Sequence, residues 1–367
     1  MNIIDYAKQE KRTLSQLPFN EVDSLILSQL AYLNFDRALA KVKENNSPLL
    51  VGDFKETLKN YEQIFEHVRD PRSNKKLLAA VVANPRFRNF GVTNYINEVN
   101  KKIEKQFAAV TFVLDAQTIY VAFRGTDDTI IGWKEDFNLV YLNPIPAQKE
   151  AAAYLEKMAA KSYTKLFVGG HSKGGTLAAY SIINAPWRVK KEVVAVYNHD
   201  GPGFKMGFWQ GWRAKLMSGK IKKTLPQSSI VGILLETNPC YDIVKSKRFG
   251  VMQHDPFSWQ INGDHFVLVD RISKGSQYLD KTLKTWLGQL SSEKRALFVD
   301  TLFQIISASK VEDFSQLNKI GRSQIEAMIG AAKNLDQETQ DFLKQTLKNL
   351  GKIYWHYLTA GVKKKNF

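Results

Sequence analysis

Residues 165–180 read KLFVGGHSKGGTLAAY. An apolar run, Leu166–Val168, has the character of a buried strand, and the small residues after Gly175 that of a helix. Between them Gly170-His171-Ser172-Lys173-Gly174 fits the pattern Gly-x-Ser-x-Gly. A chain that turns from strand to helix this abruptly strains one backbone position, and flanking glycines keep Cβ atoms out of the crossing. Ser172 at that turn would raise its hydroxyl above the carboxyl end of a sheet, beside the free N–H groups of a helix N-terminus. The segment predicts a nucleophile at Ser172, with the N–H of Lys173 as an oxyanion donor. The plainer alternative is a glycine-rich turn that only lets strand and helix pack. A phosphate loop does not fit, because the GxxxxGK[ST] spacing is missing.

Outward from this segment the chain alternates strands and helices. FAAVTFVLD (107–115) and TIYVAFRG (118–125) read as a strand pair, and AQKEAAAYLEKMAAKS (147–162) as a helix. EVVAVYNHD (192–200), SIVGILLET (229–237) and RFGVMQ (248–253) read as further strands. The alternation predicts an α/β fold with a mostly parallel sheet flanked by helices. Residues 1–106 read as helical, from EVDSLILSQLAYLNF (21–35) onward, and strands vanish after about residue 270. The organisation expected is an N-terminal helical region (1–106) packed on the core, an α/β core (107–270) and a C-terminal helical region (271–367).

Composition narrows the class. Of 367 residues 44% are hydrophobic and 24% charged, which excludes a disordered chain. No run approaches the ~20 apolar residues of a membrane-spanning helix, and the N-terminus lacks an apolar signal core. Cys240 is the single cysteine, so no disulfide framework or multi-cysteine zinc site can form within the chain. A cytoplasmic location is expected. The net charge of +16 suggests either plain solubility or an anionic partner, and with no nucleic-acid motif present, nucleic acid is not expected.

A second block, VAFRGTDDTIIGWKEDF (121–137), ends a strand in Phe123-Arg124-Gly125-Thr126 and continues to Trp133 and Asp136. A loop after an earlier strand supplies the other oxyanion donor in such folds, and Thr126 offers both an N–H and a hydroxyl. Asp127 and Asp128 could suggest a metal, but adjacent acids point apart and no histidine is near, so no metal or cofactor is expected.

The two blocks FRGT…W…D and GHSxGGxLA, in that order, resemble the class-three lipases of the α/β-hydrolase superfamily. The wider set VDSLILSQLAYL, RFRNF, GHSKGG, NHDGPGF and QHDPFSWQ resembles a bacterial family of uncharacterised proteins related to those lipases. The resemblance implies a serine-hydrolase fold and a carboxylic ester, lipid-derived or short-chain, as substrate. Lys173 departs from the lipases, which carry an apolar residue there.

A triad needs an acid and a histidine after Ser172. The lipase pattern DxVP resembles Asp242-Ile243-Val244, without its proline, and makes Asp242 the preferred acid. Asp200, in NHDGPGF at the end of a strand, is the alternative, with a turn-capping role as its plainer reading. Of the six histidines, His254 follows the last predicted strand and is the preferred base. His265 resembles the later histidine of the lipases and is the alternative. The reading is therefore an esterase with a Ser172–His254–Asp242 triad; the rival is a non-catalytic module on the same scaffold. GFKMGFWQGWRAKLMSGKIKK (203–223) interleaves four large aromatics with six basic residues, so a helix there could touch an anionic membrane or cover the site. Packing of the aromatics on the sheet is the plainer reading. The oligomeric state is not legible in the sequence.

Overall fold

The computed structural model describes residues 1–39, 47–55, 62–66, 68–127, 129–205, 207–238, 240–311 and 320–363, with side chains to 356. Asp128 and His67 lie outside the described residues. At the centre is an eight-stranded sheet whose strands lie side by side in chain order. They are β1 (Leu49–Leu50), β2 (Gly91–Asn100), β3 (Lys105–Val113), β4 (Thr118–Phe123), β5 (Lys165–His171), β6 (Val193–His199), β7 (Ile221–Pro226) and β8 (Asp242–Val244). β1 to β4 pair antiparallel and β4 to β8 parallel. The N-terminal part contributes helices α1 (Ile3–Gln9), α2 (Glu21–Leu30) and α3 (Pro71–Ala83). Between strands lie α4 (Ile130–Asn138), α5 (Pro146–Ala159), α6 (Lys173–Asn184), α7 (Trp187–Glu192) and α8 (Trp212–Met217). After the sheet follow α9 (Lys274–Gly288), α10 (Ser292–Ser307), α11 (Arg322–Lys333) and α12 (Gln337–Lys363).

The strand order decides what covers each face. Parallel strands added one after another in a single direction, through right-handed crossovers, place their crossover helices on one side. Accordingly α5, α6 and α8 share one core with Phe107, Ile119, Val121, Phe123, Val168 and Val196. The intervening side chains, Val110, Phe112, Tyr120, Ala122 and Tyr197, face the other way and would be bare without the N-terminal helices. α2 covers them: Ser24 Oγ and Ser28 Oγ lie 2.9 and 2.7 Å from Tyr120 Oη. Behind α2 the Arg86 guanidinium donates to both oxygens of the buried Asp23 at 2.8 and 2.5 Å. The C-terminal helices stand elsewhere, with Trp286, Leu287, Val299 and Phe303 packed on Ile130 and Val140 at α4.

Several expected elements differ. The sheet begins before residue 107: β2 reaches back to Gly91, and its polar residues and a bulge between Thr93 and Ile96 mark an irregular, half-exposed strand. SIVGILLET is not a strand but a set of turns, and RFGVMQ leads into a 3₁₀ turn, Gly250–His254. The strand next to β6 is instead Ile221–Pro226, inside the basic-aromatic segment. In that segment only Trp212–Met217 is α-helical. Phe204, Phe208 and Trp209 pack on one another. The ammonium of Lys223 is buried against Glu236, and Lys220 donates to the carbonyls of Lys190 and Val193. The possible helix over 203–223 is thus a single short one among the described residues, and two of the six basic residues are spent on the protein itself.

Candidate active site

The site is built where β5 meets α6. Ser172 has φ 58° and ψ −136°, a region that L-residues rarely occupy, and it is the N-cap of α6. Its own N–H is held by His199 O at 2.9 Å. The glycines are required by space. A Cβ on Gly170 would fall 2.3 Å from the backbone of Gly174, and one on Gly174 2.1 Å from Phe123 O. The turn thus brings the strand, the helix start and the end of β4 into backbone contact. No helix start with larger residues could seat Ser172 this close to the sheet end.

Asp200 follows β6, the strand next to β5, and is fully buried. Its Oδ1 accepts from Ser229 Oγ at 2.5 Å and Gly232 N at 3.1 Å. Its Oδ2 lies 2.6 Å from His254 Nδ1. A carboxylate filled on one oxygen and facing Nδ1 with the other selects the Nδ1–H tautomer, leaving Nε2 as a lone-pair base. His254 is held from below by His171, whose Nε2 donates to His254 O at 2.8 Å with ring centroids 4.5 Å apart. Burial, then the neighbouring His254, lowers the His171 pKa well below the usual imidazole value. His171 stays neutral, and its Nδ1 accepts from Tyr32 Oη at 3.2 Å.

The carboxylate that faces His254 differs from the one expected. Asp242 starts β8, three strands from β5, roughly 14 Å away at ordinary strand spacing, and is exposed. The carboxylate on His254 is Asp200. His265 is exposed on a hairpin and bonds only its neighbour Asp264 among the described residues, at 3.1 Å. His199 lies in the core against Ser24 Oγ at 2.9 Å, and burial pushes its pKa down to about 3.

The Arg124–Thr126 loop lies over the elbow: a Cβ on Gly125 would come 3.0 Å from Ser172 Cβ and 2.5 Å from His171 O. Thr126 follows Gly125 in this loop, and its hydroxyl donates to Asp136 Oδ2. Burial pushes the Asp136 carboxyl up to about 6, against the opposing pull of the Lys173 ammonium. Lys173 itself settles a question raised by the sequence. Its ammonium is fully buried, donating to Gln106 O (3.0 Å), Gln106 Oε1 (2.7 Å) and Glu135 Oε2 (3.0 Å). Glu135 Oε1 accepts from Ala147 N at 2.9 Å, and Oε2 also from Gln106 N at 3.0 Å. One buried ion pair thus ties the first residue of α6 to β3 and α4. Among the described residues no group of His, Cys, Asp and Glu is arranged to hold a metal.

That pair carries a stability prediction. Lys173→Met leaves Glu135 buried without its cation and is expected to cost about 3–5 kcal/mol. Adding Glu135→Gln should recover much of the loss, because the stranded charge is gone. Urea unfolding of both variants measures this; additive losses would contradict a coupled pair.

Residues 81–304, more than half of the chain, match the family model described as Mbeg1-like. The chain belongs to the Mbeg1-like family. No curated protein matches it. Among solved structures, the crystal structure of M37 lipase is similar at 15% identity with a TM-score of 0.36, over 59% of this chain and 70% of that one. A Rhizomucor miehei lipase in complex with its propeptide is similar at 17% identity with a TM-score of 0.32, over 47% of this chain and 59% of that one. The fold of this Mbeg1-like chain is α/β, with a mostly parallel sheet flanked by helices. Among the described residues no helix is long and apolar enough to cross a membrane.

Proposed function

We infer that the protein is a serine hydrolase of carboxylic esters, with Ser172 as nucleophile, His254 as base and Asp200 as the acid that orients it. The observation that carries this reading is the 2.6 Å contact between His254 Nδ1 and Asp200 Oδ2 beside a serine on a strained strand-to-helix turn. Ser172 Oγ attacks the ester carbonyl carbon while its proton passes to His254 Nε2. Charge collects on the carbonyl oxygen and is met by the N–H of Lys173 at the helix start and the N–H of Thr126. His254 Nε2 then gives its proton to the departing alkoxide as the C–O bond breaks, leaving an acyl-Ser172. Water, deprotonated by His254, releases the acid. The neutral His171 beneath His254 lets the imidazolium form without a second positive ring against it.

Incubation with a fluorophosphonate is the direct test. A stoichiometric adduct mapped to the Ser172 peptide, together with turnover of p-nitrophenyl acetate or butyrate, is expected. Neither labelling nor turnover in the folded protein would end the reading.

A further inference from the structure

The loop that delivers His254 carries an apolar tip turned largely outward. Phe249 is 89% exposed, and Val251 and Met252 are about half exposed. These are the residues just before His254, on the 3₁₀ turn that places it. The polar groups of the turn are used inward. Gln253 is buried, its amide donating to Arg248 O at 2.6 Å and its Oε1 accepting from Ser228 N at 2.6 Å. Trp259 Nε1 donates to Gln253 O at 2.8 Å. Gly250, at φ 54°, makes the bend that leaves Phe249 outward. A turn fixed from below, with its apolar side chains outside, is built to place them in something.

The surroundings say what. Lys245, Lys247 and Arg248 lead into the tip and are exposed, and exposed Arg69 acts electrostatically on Asp255 and His171 below it. Asp255 and Asp70 are acids beside these cations, and Arg248 Nη1 holds Asp255 at 2.5 Å. Apolar side chains beside a surplus of exposed cations match the boundary of a bilayer with anionic headgroups: the side chains enter the acyl region and the cations meet phosphate or carboxylate. A protein partner would more often offer a shaped pocket than a surplus of exposed cations around an apolar tip.

We propose that the 245–252 loop is a membrane-docking tip that seats the Ser172–His254 opening on an anionic lipid surface. The docking stands on the loop alone; that it delivers a lipid-derived ester rests on the hydrolase reading above. The face differs from the basic-aromatic segment at 203–223, whose cations are partly spent on the protein itself.

Sedimentation with phosphatidylcholine vesicles, with and without phosphatidylserine, tests it. Wild type and Ser172→Ala are both expected to sediment with the anionic vesicles at low salt, since binding needs no catalysis. Phe249→Ser with Met252→Ser should lower the partition coefficient about tenfold or more, as two apolar side chains leave the lipid. Lys245→Gln with Lys247→Gln should weaken binding at low salt and flatten its salt dependence. Trp212→Ser with Lys215→Gln should bind as wild type does. Failure of wild type to sediment, equal binding to neutral vesicles, or undiminished binding of the Phe249/Met252 variant would overturn the proposal. So would a shift of the loss to the Trp212/Lys215 variant, or self-association of wild type that the tip variant abolishes, which would make a second copy the occupant. Fluorophosphonate labelling without vesicles reports separately on the hydrolase reading.

Discussion

Ser172→Ala is expected to lower ester turnover by a thousandfold or more and to abolish fluorophosphonate labelling, while the protein stays folded. The loss is large because the hydroxyl supplies the bond that forms, and an alanine leaves only binding and oxyanion contacts. Stability should move in the opposite direction when the backbone is relieved. Ser172 sits at φ 58° and ψ −136°, where a Cβ is disfavoured and strain of order 1–3 kcal/mol is stored. Alanine keeps that Cβ and should leave the unfolding free energy close to wild type. Ser172→Gly removes it and is expected to stabilise by about 1 kcal/mol after the added backbone entropy of glycine. A melting-temperature series of the three proteins checks this. A nucleophile held in a strained turn predicts two dead variants of which only Ser172→Gly is firmer; an ordinary turn serine predicts no such ordering. Residual turnover near wild type in Ser172→Ala would place the activity elsewhere.

Legibility in the sequence followed the range of the interaction. The elbow is local: a strand, a serine, crossing glycines and a helix occupy sixteen consecutive residues, so KLFVGGHSKGGTLAAY carries its geometry in its letters. The Thr126 loop was readable for the same reason. The carboxylate that faces His254 was not, because it depends on which strand lies beyond β6 and on what turns around the end of β6. SIVGILLET has the apolar character of a strand, but its Ser229 and Gly232 turn around Asp200 and fill its Oδ1. IKKTLP, with two lysines, does not read as buried, although β7 runs through it and Lys223 ends against Glu236 thirteen residues later. With that strand misplaced, similarity to a short lipase pattern favoured Asp242. Lys173 escaped for a related reason. A lysine beside a nucleophile suggests charge at the substrate, and only the partners from β3 and α4 show that it points into the protein. β2 was hidden by its asparagines and its bulge. Tyr32 and His171 carried no signal beyond a tyrosine in an apolar helical stretch and a histidine inside the serine motif.

Asp200→Asn and Asp242→Asn separate the two candidate acids by more than any other pair of variants. At position 200 the surroundings dictate how the amide must lie. The site of Oδ1 accepts from Gly232 N–H and Ser229 Oγ, so the carbonyl oxygen of asparagine belongs there. Its NH₂ group then faces His254 Nδ1, at the place where the carboxylate oxygen lies 2.6 Å away. Two donors cannot meet, so His254 must hold its proton on Nε2 and present N–H to Ser172. An imidazole in that tautomer cannot take the serine proton, and the stabilising negative charge is lost as well. The expected fall in kcat is on the order of a hundred- to ten-thousandfold, with KM much less affected. Asp242 stands exposed at the start of β8 and touches none of these groups, so Asp242→Asn should keep turnover within about twofold, as expected for a surface position. Kinetics with a soluble p-nitrophenyl ester, alongside circular dichroism to show that both variants fold, decide the matter. A hundredfold loss in Asp242→Asn with activity retained in Asp200→Asn would mean that the chain rearranges β8 toward His254 during turnover, and the assignment of Asp200 would fall.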